Sequence, residues 1–286
     1  MARALPSDTE QTQANAARAS LLAYIECMPR VVSYHRPSSL PDALKLLRRA
    51  GVDTRVLAGG TMVNAGYQDG DASPIEVVDL QALDLAGIDE LSDAPRRSLR
   101  VGSMTTLGAL AGSVLVPTFL RDLARSECPS TLRNMATIGG TIAGASRESA
   151  MLAGLLACRA TVVIAHIDTT RTISLASLLD SPPLLRASIV TEVSIEVPDS
   201  GTWEAVRRTP ADTPIVAVAG ARYGTEVSLA VSGAHRPFAF NGSVPTSLPG
   251  DFRGSGEYRE EMIRTLLTRV SALLSQETPT PNGSNQ

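Results

Sequence analysis

Cysteine, histidine, lysine and aromatic residues are all scarce in this chain of 286 residues. It has three cysteines, three histidines and one lysine, and aromatic residues make up 3% of the sequence. Cys27, Cys128 and Cys158 are far apart and form no C-x-x-C pair, which disfavours an iron–sulfur cluster or a structural zinc ion held by this chain. A sparse, odd-numbered set of thiols is typical of a reducing compartment, so we expect a cytoplasmic protein.

Long hydrophobic runs and an excess of positive charge are also missing. No apolar run reaches the roughly 18 residues that a membrane span needs, so no span is predicted. The apolar segment 16–28 is short and is interrupted by Arg18 and Glu26, which disfavours a signal peptide. The net charge of −3 and the isoelectric point near 5.7 disfavour binding to nucleic acid, which requires a basic surface.

The common catalytic motifs are absent as well. There is no G-x-S-x-G elbow and no P-loop lysine, which disfavours a serine hydrolase and a nucleotide hydrolase. His35, His166 and His235 are not at metal-ligand spacing from one another, so no metal site and no catalytic side chain are predicted. A chain of this kind can still take part in redox chemistry by holding a cofactor that carries the reaction.

The apolar content of 43% is enough for a substantial core, and periodic segments alternate along most of the chain. Strands are predicted over 54–57, 75–80, 98–102, 160–165 and 188–197, with a hairpin of 214–223 and 226–232 around Gly224. Helices are predicted over 41–47, 106–113, 117–126, 150–158 and 257–274, the first capped by Ser38 or Ser39. The last of these has its apolar face at Met262, Leu266, Leu267, Val270 and Leu274.

This order of elements predicts an α+β protein of several units. Residues 1–28 form a flexible extension in which 15–27 could be helical, and residues 276–286 form a disordered tail. A larger domain covers 29–198, in two subdomains of about 29–82 and 83–198. A small α/β domain covers 199–275.

Two glycine turns are the most informative motifs. The first is Ala58-Gly59-Gly60-Thr61, directly after a predicted strand, and the second is Thr137-Ile138-Gly139-Gly140-Thr141. Consecutive glycines allow a run of backbone N–H groups to face an anion, and a helix starting behind them adds its dipole. Two such turns that meet in space could hold a pyrophosphate, which suggests a dinucleotide cofactor.

The ordered set of segments resembles the flavin-binding medium subunit of molybdenum hydroxylases, the enzymes of the carbon monoxide dehydrogenase and xanthine dehydrogenase type. The similarity covers most of residues 29–274. The segments that carry it are 32–44 (VSYHRPSSLPDAL), 55–61 (RVLAGGT), 101–107 (VGSMTTL), 133–140 (RNMATIGG), 207–212 (RRTPAD) and 255–262 (SGEYREEM).

The resemblance implies a two-part FAD-binding domain of the vanillyl-alcohol-oxidase (PCMH-like) type, followed by the small C-terminal domain. It implies that FAD is bound by Ala58, Gly59, Gly60, Thr61, Met62, Val63, Thr137, Ile138, Gly139, Gly140, Thr141 and Ser146. It also implies two partners, a large subunit with a molybdenum cofactor and a small subunit with iron–sulfur clusters, which deliver electrons to the FAD.

Three positions depart from the family pattern. Thr141 stands where the family often has asparagine, Arg147 replaces a proline, and Ala150 stands at an acidic position. The segment between Phe240 and Asp251 is also too short for a helix that the family usually has. Two alternatives therefore remain open: a stand-alone FAD-dependent oxidoreductase of a specialised biosynthetic pathway, and a non-catalytic scaffold subunit with a degenerate flavin site.

Overall fold

A computed structural model describes residues 31–49, 51, 53–61, 74–92, 95–210 and 212–276. The proposed extension 1–28, the helix proposed within it, and residues 277–286 of the proposed tail lie outside the described residues. No described helix combines the length and the apolar character needed to cross a lipid bilayer.

A small parallel sheet forms the first part of the fold. Its elements are β1 (Val31–His35), α1 (Leu40–Leu47), β2 (Asp53–Leu57) and β3 (Ile75–Asp79), with strand order β1-β3-β2. Ser39, one of the two predicted caps, is the residue that caps α1, because its hydroxyl accepts from the Asp42 N–H at 3.3 Å. The first glycine turn follows β2, so it lies at the carboxyl end of this sheet.

An antiparallel sheet of five strands forms the middle of the fold. Its strands are β4 (Ile88–Leu91), β5 (Ser98–Gly102), β6 (Thr161–Ala165), β7 (Thr170–Ser174) and β8 (Ile189–Glu196), in the order β4-β5-β8-β6-β7. Its helices are α2 (Leu107–Gly112), α3 (Thr118–Glu127), α4 (Ser130–Arg133), α5 (Ile138–Gly144), α6 (Ala150–Ala157) and α7 (Leu175–Asp180), and a 3₁₀ turn covers Pro182–Leu185.

A second antiparallel sheet follows. It has the strands β9 (Ser200–Val206), β10 (Val216–Tyr223), β11 (Glu226–Ser232) and β12 (Phe238–Ala239), in the order β12-β11-β10-β9. The predicted hairpin is confirmed, since Tyr223 pairs with Glu226 and Gly224 has a positive φ of 63°. No helix is present between Phe240 and Asp251, as the short sequence predicts.

The long helix α8 (Gly256–Gln276) covers one face of this second sheet. Four residues of the predicted apolar face are buried: Leu266, Leu267, Val270 and Leu274. Met262 is only half-buried, and its neighbour Ile263 is fully buried instead. The buried face also includes the charged residue Arg259.

Helix α6 packs against the opposite face of the second sheet. All eight of its residues are buried, and it contacts α3, β10 and β11. The β10 residues that face it are mostly small, Ala217, Ala219 and Ala221, so the helix can approach the sheet closely. A single hydrophobic core therefore extends from the five-stranded sheet to the second sheet.

Candidate functional site

The two glycine turns meet in the folded chain. An ideal Cβ built on Gly59 would lie 1.7 Å from the carbonyl oxygen of Met135, so the first turn is packed directly against the backbone before the second. A cavity of about 310 Å³ lies at this junction. Seven of the predicted site residues line it: Ala58, Gly59, Gly60, Thr61, Thr137, Gly139 and Gly140.

The first turn places a run of half-buried backbone N–H groups at the cavity. Gly60 has a positive φ of 74°, which glycine adopts without strain. No described residue accepts a hydrogen bond from the N–H groups of residues 58–61. Because these residues line the cavity, their N–H groups form a donor-lined wall suited to an anion.

The second turn differs from the prediction of another run of free donors. Its N–H groups are used within the protein: Ile138 donates to Thr105 O at 3.0 Å, Gly139 donates to Ser103 O at 2.9 Å, and Gly140 donates to Thr137 Oγ1 at 3.1 Å. The physical reason is that residues 138–144 continue as α5, with Thr137 as its cap. The second turn therefore supplies a wall and a fixed geometry, and the first supplies the donors.

A second cavity of about 250 Å³ adjoins the first, because Thr61, Thr137 and Gly144 line both. Its walls are mostly apolar but include several hydroxyl and carboxyl groups. They include the predicted residues Thr141 and Ser146, and in addition Glu127, Glu148 and Ser149. Thr213 and Pro214, from the segment before β10, complete the lining.

Three predicted residues are not part of either cavity as the structure describes it. Ile138 is buried in the core of the five-stranded sheet and lines neither cavity. Met62 and Val63 lie outside the described residues. Their assignment to the site stays a prediction.

Sequence reasoning missed the loop after β5. Ser103 and Met104 line the first cavity, together with Leu185, Ser188 and Ile189 from the segment before and into β8. The hydroxyl of Ser103 is buried and has no hydrogen-bond partner among the described residues. Leaving a buried hydroxyl unpaired costs about 1–3 kcal/mol, so a bound group that pairs with it would be favoured.

Glu127, the last residue of α3, is the second important omission. Its Oε2 accepts from the Met151 N–H at 3.0 Å, which places the carboxyl at the start of α6 and in the wall of the second cavity. Burial raises the pKa of Glu127, although hydrogen bonds from Ser149 and the α6 backbone and the charge of Arg207 oppose this change. No motif in the sequence connects this residue to the glycine turns.

The family model described as "FAD binding domain in molybdopterin dehydrogenase" matches residues 30–199. The chain belongs to this family. The match covers more than half of the chain and contains both glycine turns and both cavities except for Thr213 and Pro214. It confirms the resemblance found in the sequence, and FAD is the cofactor of this domain.

Relatives of this FAD-binding family include dehydrogenase subunits. The chain is 33% identical over 139 residues to the uncharacterized protein YgfM of Escherichia coli K12, covering 49% of this chain and 51% of YgfM. It therefore spans about half of that relative. It is 26% identical over 278 residues to the glyceraldehyde dehydrogenase medium chain of Sulfolobus acidocaldarius, covering 85% of this chain and 98% of that protein.

A chain of the carbon monoxide dehydrogenase of Oligotropha carboxidovorans has the same fold. The TM-score is 0.76 at 25% identity, over 86% of this chain and 98% of the other. The predicted α+β class is confirmed by this likeness and by the sheets described above. Together these matches show an FAD-binding chain that is similar to subunits of dehydrogenases.

The residues present suit FAD. The donor-lined turn matches a pyrophosphate, the unpaired Ser103 hydroxyl is available to a ligand, and two joined cavities match a cofactor with two halves. A Cβ on Gly59 would clash with Met135, so this glycine is needed for the two turns to meet. A Cβ on Gly139 would clash with Ser103, so that glycine is needed for α5 to approach the loop after β5.

The unusual Arg147 has a defined structural role in this FAD-binding domain. Its guanidinium donates to Asp251 Oδ2 at 2.9 Å and to Glu148 Oε1 at 2.8 Å. Its carbonyl accepts from the Gly233 N–H at 2.6 Å. The loop that carries Ser146 is thus tied to the second antiparallel sheet, and the departure from proline at this position has a physical reason.

Proposed function

We propose that this chain is the FAD-binding electron-transfer subunit of a molybdenum-hydroxylase-like oxidoreductase. In this proposal the partners are a large subunit with a molybdenum cofactor and a small subunit with iron–sulfur clusters. Electrons pass from the clusters to FAD on this chain and then to an acceptor. The observation that carries the proposal is the donor-lined turn between two joined cavities in a chain of this family.

Each part of FAD has a proposed place. The pyrophosphate accepts from the N–H groups of residues 58–61. The adenosine half takes the first cavity, where Leu80, Met104, Leu185 and Ile189 offer apolar contact. The ribityl hydroxyls and the flavin take the second cavity, where Thr141 and Ser146 offer hydroxyl groups.

Bound FAD supplies the electron-accepting chemistry, and the chain supplies binding and orientation. The turns hold the phosphates, and the two cavity walls exclude water from the two halves. We propose that the cofactor lies between the 29–198 domain and the 199–275 domain, because Thr213 and Pro214 line the second cavity. The proposed compartment is the cytoplasm, where unpaired thiols such as Cys158 stay reduced.

The first test is the visible absorption spectrum of the purified chain, with the released cofactor identified by mass. We expect flavin bands and close to one FAD per chain. Copurification with a molybdenum-containing and an iron–sulfur protein would support the electron-transfer role. Turnover of a small substrate by the isolated chain would favour the stand-alone enzyme, and a colourless chain that cannot be reconstituted would favour the scaffold and overturn the proposal.

Ser103 gives a second test. Replacing Ser103 with alanine removes a buried hydroxyl that has no protein partner, so the FAD-free protein should keep its free energy of unfolding. FAD binding should weaken by about 0.5–1.5 kcal/mol through loss of one hydrogen bond. Titration of the apoprotein with FAD measures this difference.

Ser232→Ala is the matched control for Ser103→Ala. The Ser232 hydroxyl is also buried and without a partner among the described residues, but it lies in β11 and lines neither cavity. It should leave FAD binding unchanged. Equal FAD affinities for the two variants would remove Ser103 from the proposed site.

A further inference from the structure

Glu127 is a half-buried carboxylate in the second cavity that has no ion-pair partner. No described arginine, lysine or histidine nitrogen lies within 4.0 Å of its carboxyl oxygens. Arg207, whose charge lowers the pKa of Glu127, is engaged elsewhere: it donates to Ser126 Oγ and to Pro210 O, and it lies over the Trp203 ring at 5.4 Å. A partly desolvated carboxyl group in a cavity wall, without an ion-pair partner among the described residues, is a candidate ligand group.

Glu127 also has a structural role at the start of α6. A carboxylate at a helix start can simply cap the helix. Helix α6 already has its own cap, however, because Ser149 Oγ accepts from the Leu152 N–H at 3.1 Å. Glu127 adds a bond at Met151 from a different helix, and Ser149 and the backbone of Ala150 also interact with its carboxyl group.

The surroundings of Glu127 define the chemistry that it would meet. Thr141, Ser146 and Ser149 line the same cavity, which opens toward the donor-lined turn through Thr61 and Thr137. Hydroxyl side chains can both donate and accept, whereas an ionised carboxylate only accepts. A ligand with several neighbouring hydroxyl groups would match this mixture, because its hydroxyls can donate to the carboxylate and accept from Ser146. Thr141 Oγ1 donates to Thr137 O at 3.1 Å, so towards a ligand it acts as an acceptor.

We propose that Glu127 binds the polyol chain of the flavin half of FAD in the second cavity. The inference rests on the proposed function, since it requires FAD in this pair of cavities. Glu127 is in this sense a cofactor-binding residue that lies outside both glycine turns.

The test compares binding of FAD, riboflavin and ADP to the FAD-free forms of Glu127→Gln and Glu127→Ala. Riboflavin carries the polyol without phosphates, and ADP carries the phosphates without the polyol. Because hydrogen bonds to a charged group are lost, Glu127→Ala should bind FAD and riboflavin about tenfold more weakly or worse. The loss of affinity should be smaller in Glu127→Gln. The affinity of both variants for ADP, measured by competition, should stay within about twofold of the wild-type affinity.

Two controls make the result decisive. Glu90→Gln changes an exposed carboxylate paired with Arg97 and should behave as wild type with all three probes. Thermal unfolding of the FAD-free variants shows whether the start of α6 is intact. If Glu127→Ala disrupts the start of α6, Glu127→Gln still provides an acceptor for the Met151 N–H.

The outcomes separate this inference from the proposed function. Wild-type protein that binds neither FAD nor riboflavin overturns both. Wild-type binding of FAD with unchanged affinity in both Glu127 variants overturns the role of Glu127 alone. Equal weakening of ADP and riboflavin also overturns it, because that pattern indicates a general effect on the fold.

Discussion

Replacing Gly59 with alanine is expected to abolish stable FAD binding. The added methyl group would lie 1.7 Å from the Met135 carbonyl oxygen and 2.5 Å from its carbonyl carbon, and these backbone atoms cannot move away cheaply. The first turn must then withdraw from the second, which opens the wall of the cavity. Overpacking of this kind costs about 1–3 kcal/mol, and the donor run loses its position. FAD content after gel filtration measures the effect.

Gly112→Ala provides the control for Gly59→Ala. Gly112 lies in α2, and a Cβ there would meet no atom within 4 Å. It should keep full FAD content and equal or slightly higher stability, since alanine favours a helix more than glycine does. If Gly59→Ala retained FAD as fully as Gly112→Ala, the close approach of the two turns would be refuted.

Replacing Asp251 with asparagine is expected to lower the free energy of unfolding by about 3–5 kcal/mol. Asp251 Oδ2 accepts from Arg147 at 2.9 Å, from Arg253 at 3.1 Å and from Arg259 at 2.8 Å. Arg259 is fully buried, so the variant leaves an uncompensated charge in the interior of the protein. Urea unfolding at neutral pH measures the loss.

Glu261→Gln is the surface control for Asp251→Asn. It removes an exposed pair with Arg264 at 3.4 Å and should change the free energy of unfolding by less than about 1 kcal/mol. If Asp251→Asn lowered the free energy of unfolding as little as this control does, the buried arginine charge would not depend on Asp251 for its compensation.

The effect of Asp251 should depend on pH. Burial alone would raise its pKa, but hydrogen bonds from the Arg253 backbone and side chain and from Arg259 hold the pKa well below its usual range. The stabilisation is therefore complete above the unfolded-state pKa of about 3.9 and is lost progressively as the pH falls below it. The difference between wild type and Asp251→Asn should shrink at acidic pH.

Much of the fold follows from local patterns. The strand at 98–102 and the hairpin strand at 226–232 are found with the predicted bounds, because apolar and β-branched residues there end at clear turn signals. The antiparallel edge strand Thr170–Ser174 was missed because it is largely exposed and its sequence shows no regular alternation.

The candidate site was predictable only where it depends on a contiguous motif. The sequence of residues 138–144 predicts a turn, because glycine disfavours a helix. In the structure these residues form α5, and hydrogen bonds to the carbonyl groups of Ser103 and Thr105 hold its start in place. Ser103 and Glu127 could not be assigned from the sequence, because only the folded chain brings them to the cavities. The long-range contacts that complete a site leave no periodic signal.

The fully buried helix α6 has a consequence for how this protein can be recombined. Because one side of α6 belongs to the core of the five-stranded sheet and the other to β10 and β11, a cut at 198/199 would separate two halves of one interior. A chimera that exchanges the C-terminal part with that of a relative would need to exchange the α6 surface with it. The unit that can be exchanged is therefore defined by the shared helix and not by the predicted boundary at 198/199.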